Sequence, residues 1–363
     1  MNIIIFAARE FNPVMGGIER VSTLLAEFLI NHGHNVYFLS GLKTNGPEYK
    51  LKSKQFFLPN GFKGNTENRK FVKELIKELN INIIINQTDF FSLFSRSYIH
   101  KNVKIISVIH NSYKAMNMAK PNIYRKLRYR IAITYFLSKV GYNSDVIVLF
   151  SNKFIKEFKI YCKVPVRNKI KIIPNFNTYI NPVINQNKEK IVLYVGRLYN
   201  EHKRIDRLLY IWKNLDKIKD DWRLIIVGDG PDKKMLEALS IKYNLKNVTF
   251  TGADSPEKYY SKASIFCLTS SYESFGMVIT EAMQHAVVPI VFNSYATASE
   301  IINDNADGFL IPPFDMDIYS EKLNLLMSDD NLRNNMATEA ANSVKKFSLN
   351  NIGKEWIKLL NSI

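Results

Sequence analysis

The amino-acid sequence predicts an α/β protein built from two Rossmann-like domains whose parallel sheets face each other across a cleft. Three observations lead there. Continuous Val/Ile/Leu runs recur along the whole chain without polar alternation, the mark of strands covered on both faces. Segments of helical length separate these runs, which implies right-handed βαβ crossovers. At 363 residues the chain also exceeds what a single hydrophobic core usually organises.

In the first half the strand runs are "NIIIFAA", "NVYFLS", "INIIIN", "KIISVIH" and "SDVIVLFS"; in the second they are "KIVLYVG", "WRLIIVG", "VTFTG", "SIFCLTS" and "VPIVF". The segment from Ile170 to Lys190, with Pro174, Pro182 and a cluster of asparagines, is the expected junction. This gives an N-terminal domain over 1–178, a C-terminal domain over 179–345, and a final helix within 346–363. In that helix Ser348 is placed as an N-cap, and Ile352, Trp356, Leu359 and Leu360 share one stripe. The helix is expected to pack back on the first domain; the alternative is that it finishes the second. Ligands of doubly wound sheets bind beyond the carboxyl ends of the strands, so the loops there hold the candidate site.

Composition narrows the class. Two cysteines, Cys162 and Cys267, cannot build a disulfide framework, and no Cys-x-x-Cys or His/Cys cluster suggests a metal centre, so a reduced, cytosolic setting is expected. "MNIIIFAAREF" lacks a basic region and is too short an apolar run for a signal peptide or membrane span; it reads as the first strand. The net charge of +17 is unevenly spread. Residues 1–180 hold 28 Lys/Arg against 10 Asp/Glu, whereas 181–363 hold 22 against 23. Such polarity predicts a polyanionic partner for the first half, either nucleic acid or an anionic membrane surface.

Gly16 and Gly17 lie just before an amphipathic helix carrying Val21, Leu24, Leu25 and Phe28. Paired glycines let backbone N–H groups and the positive helix end approach a phosphate; a plain turn is the alternative. The pattern is not G-x-G-x-x-G, which argues against NAD. His110 follows a strand of the first half directly, as a catalytic, ligand-binding or structural group. In "YVGRLYNEHKRIDRLL", Gly196 precedes Arg197 at a strand end and Lys203 comes six residues later, so two cations are available to neutralise a diphosphate. In "SSYESFGMVITEAMQHAVVPI", Gly276, Met277 and Val278 open a short helix and offer N–H groups to an anion. Glu273 precedes that helix and Glu281 lies within it. Being on different elements, they need not form a glycosidase pair; each suits adjacent hydroxyls, or a cap or salt bridge.

Together these motifs resemble glycosyltransferase family 4, the retaining nucleotide-sugar transferases of GT-B architecture. The resemblance rests on "GGIER", "LINHGHNVYFLS", "IIPNFN", "VGRLYNEHKRIDRLL", "IVGDGPDKKMLEAL" and "ESFGMVITEA", the last being the family's Glu-x7-Glu motif. It implies an acceptor-binding N-terminal and a nucleotide-sugar-binding C-terminal domain. Arg197 and Lys203 would hold the donor diphosphate, helped by backbone at Gly16, Gly17, Met277 and Val278. Glu281 would take the ribose, Glu273 the donor sugar, and His110 would stand near the reacting carbon. No metal and no cofactor beyond the nucleotide sugar, a UDP-sugar by expectation, is implied. Asp315 and Asp317 resemble an Asp-x-Asp metal motif but follow "IPPF" at a turn into a helix, where capping is the expected role. One departure stands out: Tyr295, Ala296 and Thr297 occupy positions where many relatives carry glycines.

The resemblance extends to bacterial enzymes of O-antigen, capsule and exopolysaccharide synthesis, which move a hexose or N-acetylhexosamine to a lipid-linked or growing glycan. Tyr113 to Val140 mixes Lys114, Lys120, Arg125, Lys126, Arg128, Arg130 and Lys139 with aromatic and aliphatic residues, as an interfacial helix on anionic lipid would. A place at the inner face of the cytoplasmic membrane, and no nucleic-acid partner, is the resulting expectation. The rival readings are a GT-B epimerase or hydrolase and, more remotely, a basic nucleic-acid or membrane-binding module.

Overall fold

The computed structural model describes residues 1–12, 16–43, 51–88, 93–118, 122–182, 184–185, 187–215 and 221–363. The chain forms two compact units, one of Met1–Thr178 with Phe347–Ile363 and one of Tyr179–Lys346. The first unit runs β1 (Asn2–Arg9), α1 (Gly17–Asn31), β2 (Asn35–Leu42), β3 (Gln55–Phe57), α2 (Thr66–Glu78), β4 (Ile83–Asn86), β5 (Lys104–Val108), α3 (Tyr113–Met118), α4 (Ile123–Asn143), β6 (Val146–Leu149), α5 (Asn152–Tyr161) and β7 (Ile170–Ile172). Among the described residues its strands make one parallel sheet in the order β3-β2-β1-β4-β5-β6-β7. Ile4 pairs with Tyr37 on one side and Ile84 on the other. The Ile runs of β1 and β4 are apolar because both faces are enclosed; Ile3, Ile4, Ile5, Ile83, Ile84 and Ile85 are all buried.

The second unit runs β8 (Ile191–Val195), α6 (Asn200–Lys203), α7 (Ile205–Lys213), β9 (Arg223–Val227), α8 (Lys233–Lys242), β10 (Val248–Gly252), α9 (Glu257–Tyr260), β11 (Ile265–Leu268), α10 (Met277–Gln284), β12 (Val288–Phe292), α11 (Ala298–Ile301), β13 (Phe309–Ile311), α12 (Met316–Ser328) and α13 (Asp330–Ser343). Its parallel sheet has the order β10-β9-β8-β11-β12-β13. In both sheets the winding direction reverses once, at β1/β4 in the first and β8/β11 in the second. The loops leaving those strands diverge there and open a crevice at the carboxyl ends.

The last helix, α14 (Leu349–Asn361), belongs to the first unit. The Ser348 side chain accepts from the Asn351 N–H and caps it. Its stripe of Ile352, Trp356, Leu359 and Leu360 is buried. It packs on α1, and the two approach so closely that a Cβ at Gly353 would lie 2.5 Å from the Phe28 ring.

Three strands were not expected: β3, β7 and β13. Each is three residues long, and each is the outer strand of its sheet. An edge strand pairs on one side only, so it needs no long apolar run and leaves little pattern to read. One of them, β7, lies inside the segment expected to be wholly junction. Of the basic cluster expected between Tyr113 and Val140, Lys120 and the Lys114 side chain lie outside the described residues.

Trp356→Ala removes a buried ring from the α14–α1 contact. Urea unfolding should show a loss of about 3 kcal/mol or more in the transition of the first unit, and an unchanged midpoint would mean that α14 is not integral to it.

Candidate active site

The site of the second unit begins at the turn after β8. Leu198 is fully buried and pins the turn, while Arg197 beside it is exposed. The loop after β9 braces this turn through backbone alone: Gly196 N–H donates to Val227 O (3.0 Å), Leu198 N–H to Asp229 O (2.8 Å) and Asp232 N–H to Leu198 O (3.1 Å). Such proximity leaves no room for side chains. A Cβ at Gly228 would sit 1.9 Å from Gly196 O, and one at Gly230 would sit 2.3 Å from Leu198 O. The "GDGP" stretch is thus a brace for the Arg197 turn.

Lys203 ends α6 and is fixed by its neighbours. Asn200 N–H donates to Asp232 Oδ2 (2.7 Å), and Asp206 N–H to Asn200 Oδ1 (3.0 Å). Arg204 takes a left-handed conformation, φ 49°, and forks onto Asp206 at 2.9 and 2.8 Å. Thr269 Oγ1, from the loop after β11, donates to Arg204 O (2.9 Å).

That second loop is clasped to the first. Ser271 N–H donates to His202 O (2.9 Å), His202 Nε2 donates to Tyr272 O (2.7 Å), and the two rings stack at 4.1 Å. Burial pushes the His202 imidazole below its ordinary value, against the pull of Glu273. The clasp brings Lys203 Nζ to 2.6 Å from Glu273 Oε1, and Ser270 Oγ donates to the same oxygen at 2.6 Å. Glu273 Oε2 takes no hydrogen bond from the described residues. Burial alone would raise the Glu273 carboxyl, but Lys203, His202 and the Ser270 hydroxyl outweigh it and hold the carboxyl below its ordinary value. It is an anion at neutral pH, and therefore an acceptor rather than an acid.

Past Glu273 the chain turns at Gly276 (φ 89°) into α10, whose first residues are Met277 and Val278. Thr297 Oγ1 donates to Phe275 O (2.9 Å) and steadies the turn. Glu281 is buried within α10, where Tyr260 Oη donates to its Oε2 and to Val278 O, both at 3.3 Å.

The first unit holds the remaining predicted residues. Gly16 caps α1, and the Glu19 side chain folds back so far that a Cβ at Gly16 would lie 2.6 Å from Glu19 Oε2. The helix end therefore already carries a carboxylate of its own, raised above its ordinary value by burial. Gly17 is the first residue of α1. His110, after β5, is buried; its Nε2 donates to Gln87 Oε1 (2.7 Å) and its ring meets Phe150 edge-on at 5.2 Å. Burial lowers its pKa to about 4, so it is a neutral imidazole at physiological pH.

The family resemblance implies separate ligand groups for Lys203 and Glu273; in the structure the two side chains also bond each other. Ser270, His202 and Gln87 were missed, although each had a positional signal. Ser270 lies three residues before Glu273, His202 adjoins Lys203, and Gln87 follows β4 at the reversal of the first sheet. Asp315 accepts from Ile318 N–H (3.0 Å) as the N-cap of α12. Among the described residues no group of three or more His, Cys, Asp or Glu could hold a metal ion.

Residues 15–176 match the family model described as Glycosyltransferase Family 4, and residues 176–343 match Glycosyl transferases group 1. The chain belongs to the family 4-type GT-B glycosyltransferases. An uncharacterized glycosyltransferase of Haemophilus influenzae is 28% identical over 357 residues, 95% of this chain and 96% of that protein. A Campylobacter jejuni alpha-1,4-N-acetyl-D-galactosaminyltransferase, named for a PP-undecaprenol-linked glycan, is 30% identical over 246 residues, 66% of this chain and 64% of that one. In structure, a Staphylococcus aureus TarM mutant in complex with fondaparinux, alpha-GlcNAc-glycerol and UDP matches with a TM-score of 0.82 at 15% identity, over 99% of both chains. This glycosyltransferase keeps both glutamates of the Glu-x7-Glu motif. Where glycines are common it instead buries Tyr295 and uses Thr297 as a hydrogen-bond donor to the Glu273 loop.

Lys203→Met strands the Glu273 carboxylate in a buried site and should cost about 3 kcal/mol of stability at pH 7. The deficit should shrink on acidification. In the wild type the depressed Glu273 pKa contributes stability that is present above the ordinary value near 4.5 and lost as pH falls through the folded value. In the variant, burial raises the carboxyl, which then binds its proton in the folded state. Urea unfolding at pH 7 and pH 4 measures both; a pH-independent gap would contradict the ion pair.

Proposed function

We propose that this glycosyltransferase moves a hexose or N-acetylhexosamine from a UDP-sugar to a lipid-linked or growing glycan in bacterial surface-polysaccharide synthesis, with retention of configuration and without a metal. The observation that carries this reading is the Lys203–Glu273 pair at the β8/β11 reversal, in which neither partner is saturated. An ammonium has three N–H donors, and one is spent on Glu273. The others, with the Arg197 guanidinium, suit the oxygens of a diphosphate leaving group. The open Oε2 of Glu273 suits a sugar hydroxyl, and Glu281 on α10 the ribose diol. The N–H groups of Met277 and Val278 at the start of α10 add to the diphosphate side.

In this scheme the acceptor oxygen bonds to the anomeric carbon as the carbon–diphosphate oxygen bond breaks. The acceptor proton passes to the departing diphosphate on the same face, so no protein acid–base pair is needed. An ionised Glu273 tied to Lys203 agrees with this and makes a poor acid for the hydrolase alternative. The UDP of the TarM complex and the PP-undecaprenol in the Campylobacter relative's name support the donor and acceptor chosen.

A lipid-linked acceptor asks for a surface that meets lipid. Helix α4 presents Ile123, Leu127, Ile131 and Tyr135 at 81, 55, 62 and 62% exposure, spaced four apart on one face. A groove of about 410 Å³ lies among Leu127, Arg130, Ile131, Thr134 and Tyr135. Arg128 lies over the Tyr124 ring and Lys139 over the Tyr135 ring. Apolar side chains flanked by cations suit the interface of an anionic bilayer. Among the described residues no helix is long and apolar enough to cross a membrane, so contact would be peripheral.

Thermal shift against UDP, GDP and ADP and their sugars tests the donor, because a ligand of the folded state raises the melting temperature with saturation. UDP should stabilise most. Glu281→Ala should weaken UDP binding, while Glu273→Ala should lower turnover more than UDP affinity. No shift with any nucleoside diphosphate, together with no transfer from any nucleotide sugar, would overturn the reading. For the membrane, reversing the charge of Arg125, Lys126, Arg128 and Arg130 should abolish sedimentation with phosphatidylglycerol vesicles. Equal sedimentation with neutral phosphatidylcholine vesicles would refute the electrostatic part.

A further inference from the structure

The ribose side of the site is tied together by a residue of the junction segment. Lys188 stands just before β8, and its half-buried Nζ donates to His285 O (2.6 Å), Tyr260 O (3.0 Å) and Ser261 O (3.3 Å). All three N–H groups of the ammonium are thereby spent on carbonyls. These carbonyls have a common origin: Tyr260 is the last residue of α9 and Ser261 its C-cap, while His285 is the C-cap of α10. Helix ends leave carbonyls without intrahelical partners, and here one cation serves two ends at once.

Both elements that it joins reach Glu281. From α9 the Tyr260 hydroxyl donates to Glu281 Oε2 and to Val278 O, and from the end of α10 His285 Nδ1 donates to Glu281 O (2.8 Å). The His285 and Tyr260 rings stack at 5.5 Å. Tyr260, Glu281 and His285 are all buried. At 3.3 Å to each of its two acceptors the Tyr260 hydroxyl is a long donor, which by itself fixes neither. Its place is set by whatever holds α9 against α10, and the Lys188 ammonium does so through three contacts.

We propose that Lys188 is a positioning residue for Glu281, locking the end of α9 to the end of α10 so that the carboxylate stands where a ribose diol can meet it. The inference rests on the role proposed above for Glu281 in the donor site. It gives a task to a stretch of chain that carries no motif.

Calorimetric titration of the full chain with UDP tests it. At pH 7, Lys188→Met should weaken UDP binding about fivefold or more, and Tyr260→Phe, which keeps the ring and removes the hydroxyl, should weaken it too. In a Glu281→Ala background neither change should alter the affinity by more than about twofold, because the group they position is gone. Equal losses with and without Glu281 overturn the assignment. The pH dependence is a second readout. Burial lowers the Lys188 ammonium to about 8, so it is mainly charged at pH 7 and mainly neutral by about pH 9.5. The titratable groups on the elements it joins are Glu257, Lys258, Tyr259 and Tyr260 of α9 and Glu281 and His285 of α10, with Tyr179 packed on the His285 ring. Their titration, and that of the nucleotide, is common to the wild type and Lys188→Met and cancels in the ratio of the two affinities. The wild-type advantage should therefore shrink between these pH values, and an undiminished advantage also overturns the assignment. Should Lys188→Met not fold, Lys188→Gln, which keeps two N–H donors without the charge, takes its place with the same expectations. A wild type that binds no nucleoside diphosphate overturns the donor-site reading and this inference with it, whereas UDP binding without coupling to Glu281 overturns this inference alone.

Discussion

One buried ion pair organises the second unit. Lys203, at the end of α6 after β8, and Glu273, in the loop after β11, follow two neighbouring strands, and a pair of charges withdrawn from water is stable only if geometry holds them together. The surrounding structure serves that geometry. His202 and Tyr272 stack and bond across the same gap, Thr269 holds the backbone at Arg204, and Ser270 supports the carboxylate from within its own loop. The reversal of strand order between β8 and β11 makes the gap possible, since only there do adjacent loops lead away in opposite directions.

Rigidity comes from backbone as much as from side chains. The Gly228 and Gly230 segment lies against the Arg197 turn at distances that exclude any Cβ, so the turn has a fixed floor. A site that must place cations against a developing charge gains from such a floor, because little reorganisation remains at the moment of reaction. The first unit follows a different economy. There the predicted residues already meet groups of their own unit: Glu19 folds back on the α1 terminus at Gly16, and Gln87 bonds the buried imidazole of His110. Its excess positive charge is a property of the surface, with α4 the clearest instance.

The sheets were legible because buried parallel strands leave unbroken apolar runs, and ten of the strands announce themselves this way in the sequence. The three short edge strands were not, since pairing on one side demands little of their side chains. The glycine turns and the two glutamates could be placed on the correct elements from the strand ends alone. Contacts between residues seventy positions apart were another matter. Nothing local to Lys203 specifies that Glu273 will meet it. Nor does anything local to Tyr295 say that its hydroxyl will be left without a partner; such facts belong to packing.

The return of α14 to α1 bears on the order in which the molecule can be made. The second unit, Tyr179–Lys346, is continuous in sequence and can close as soon as it has left the ribosome. The first unit begins earlier and is completed later, because α1 lacks its cover until residues 347–363 have been synthesised. Vectorial synthesis thus reverses its usual order here. The half that emerges first waits, with the Phe28 side of α1 uncovered, for the half that emerges second to finish.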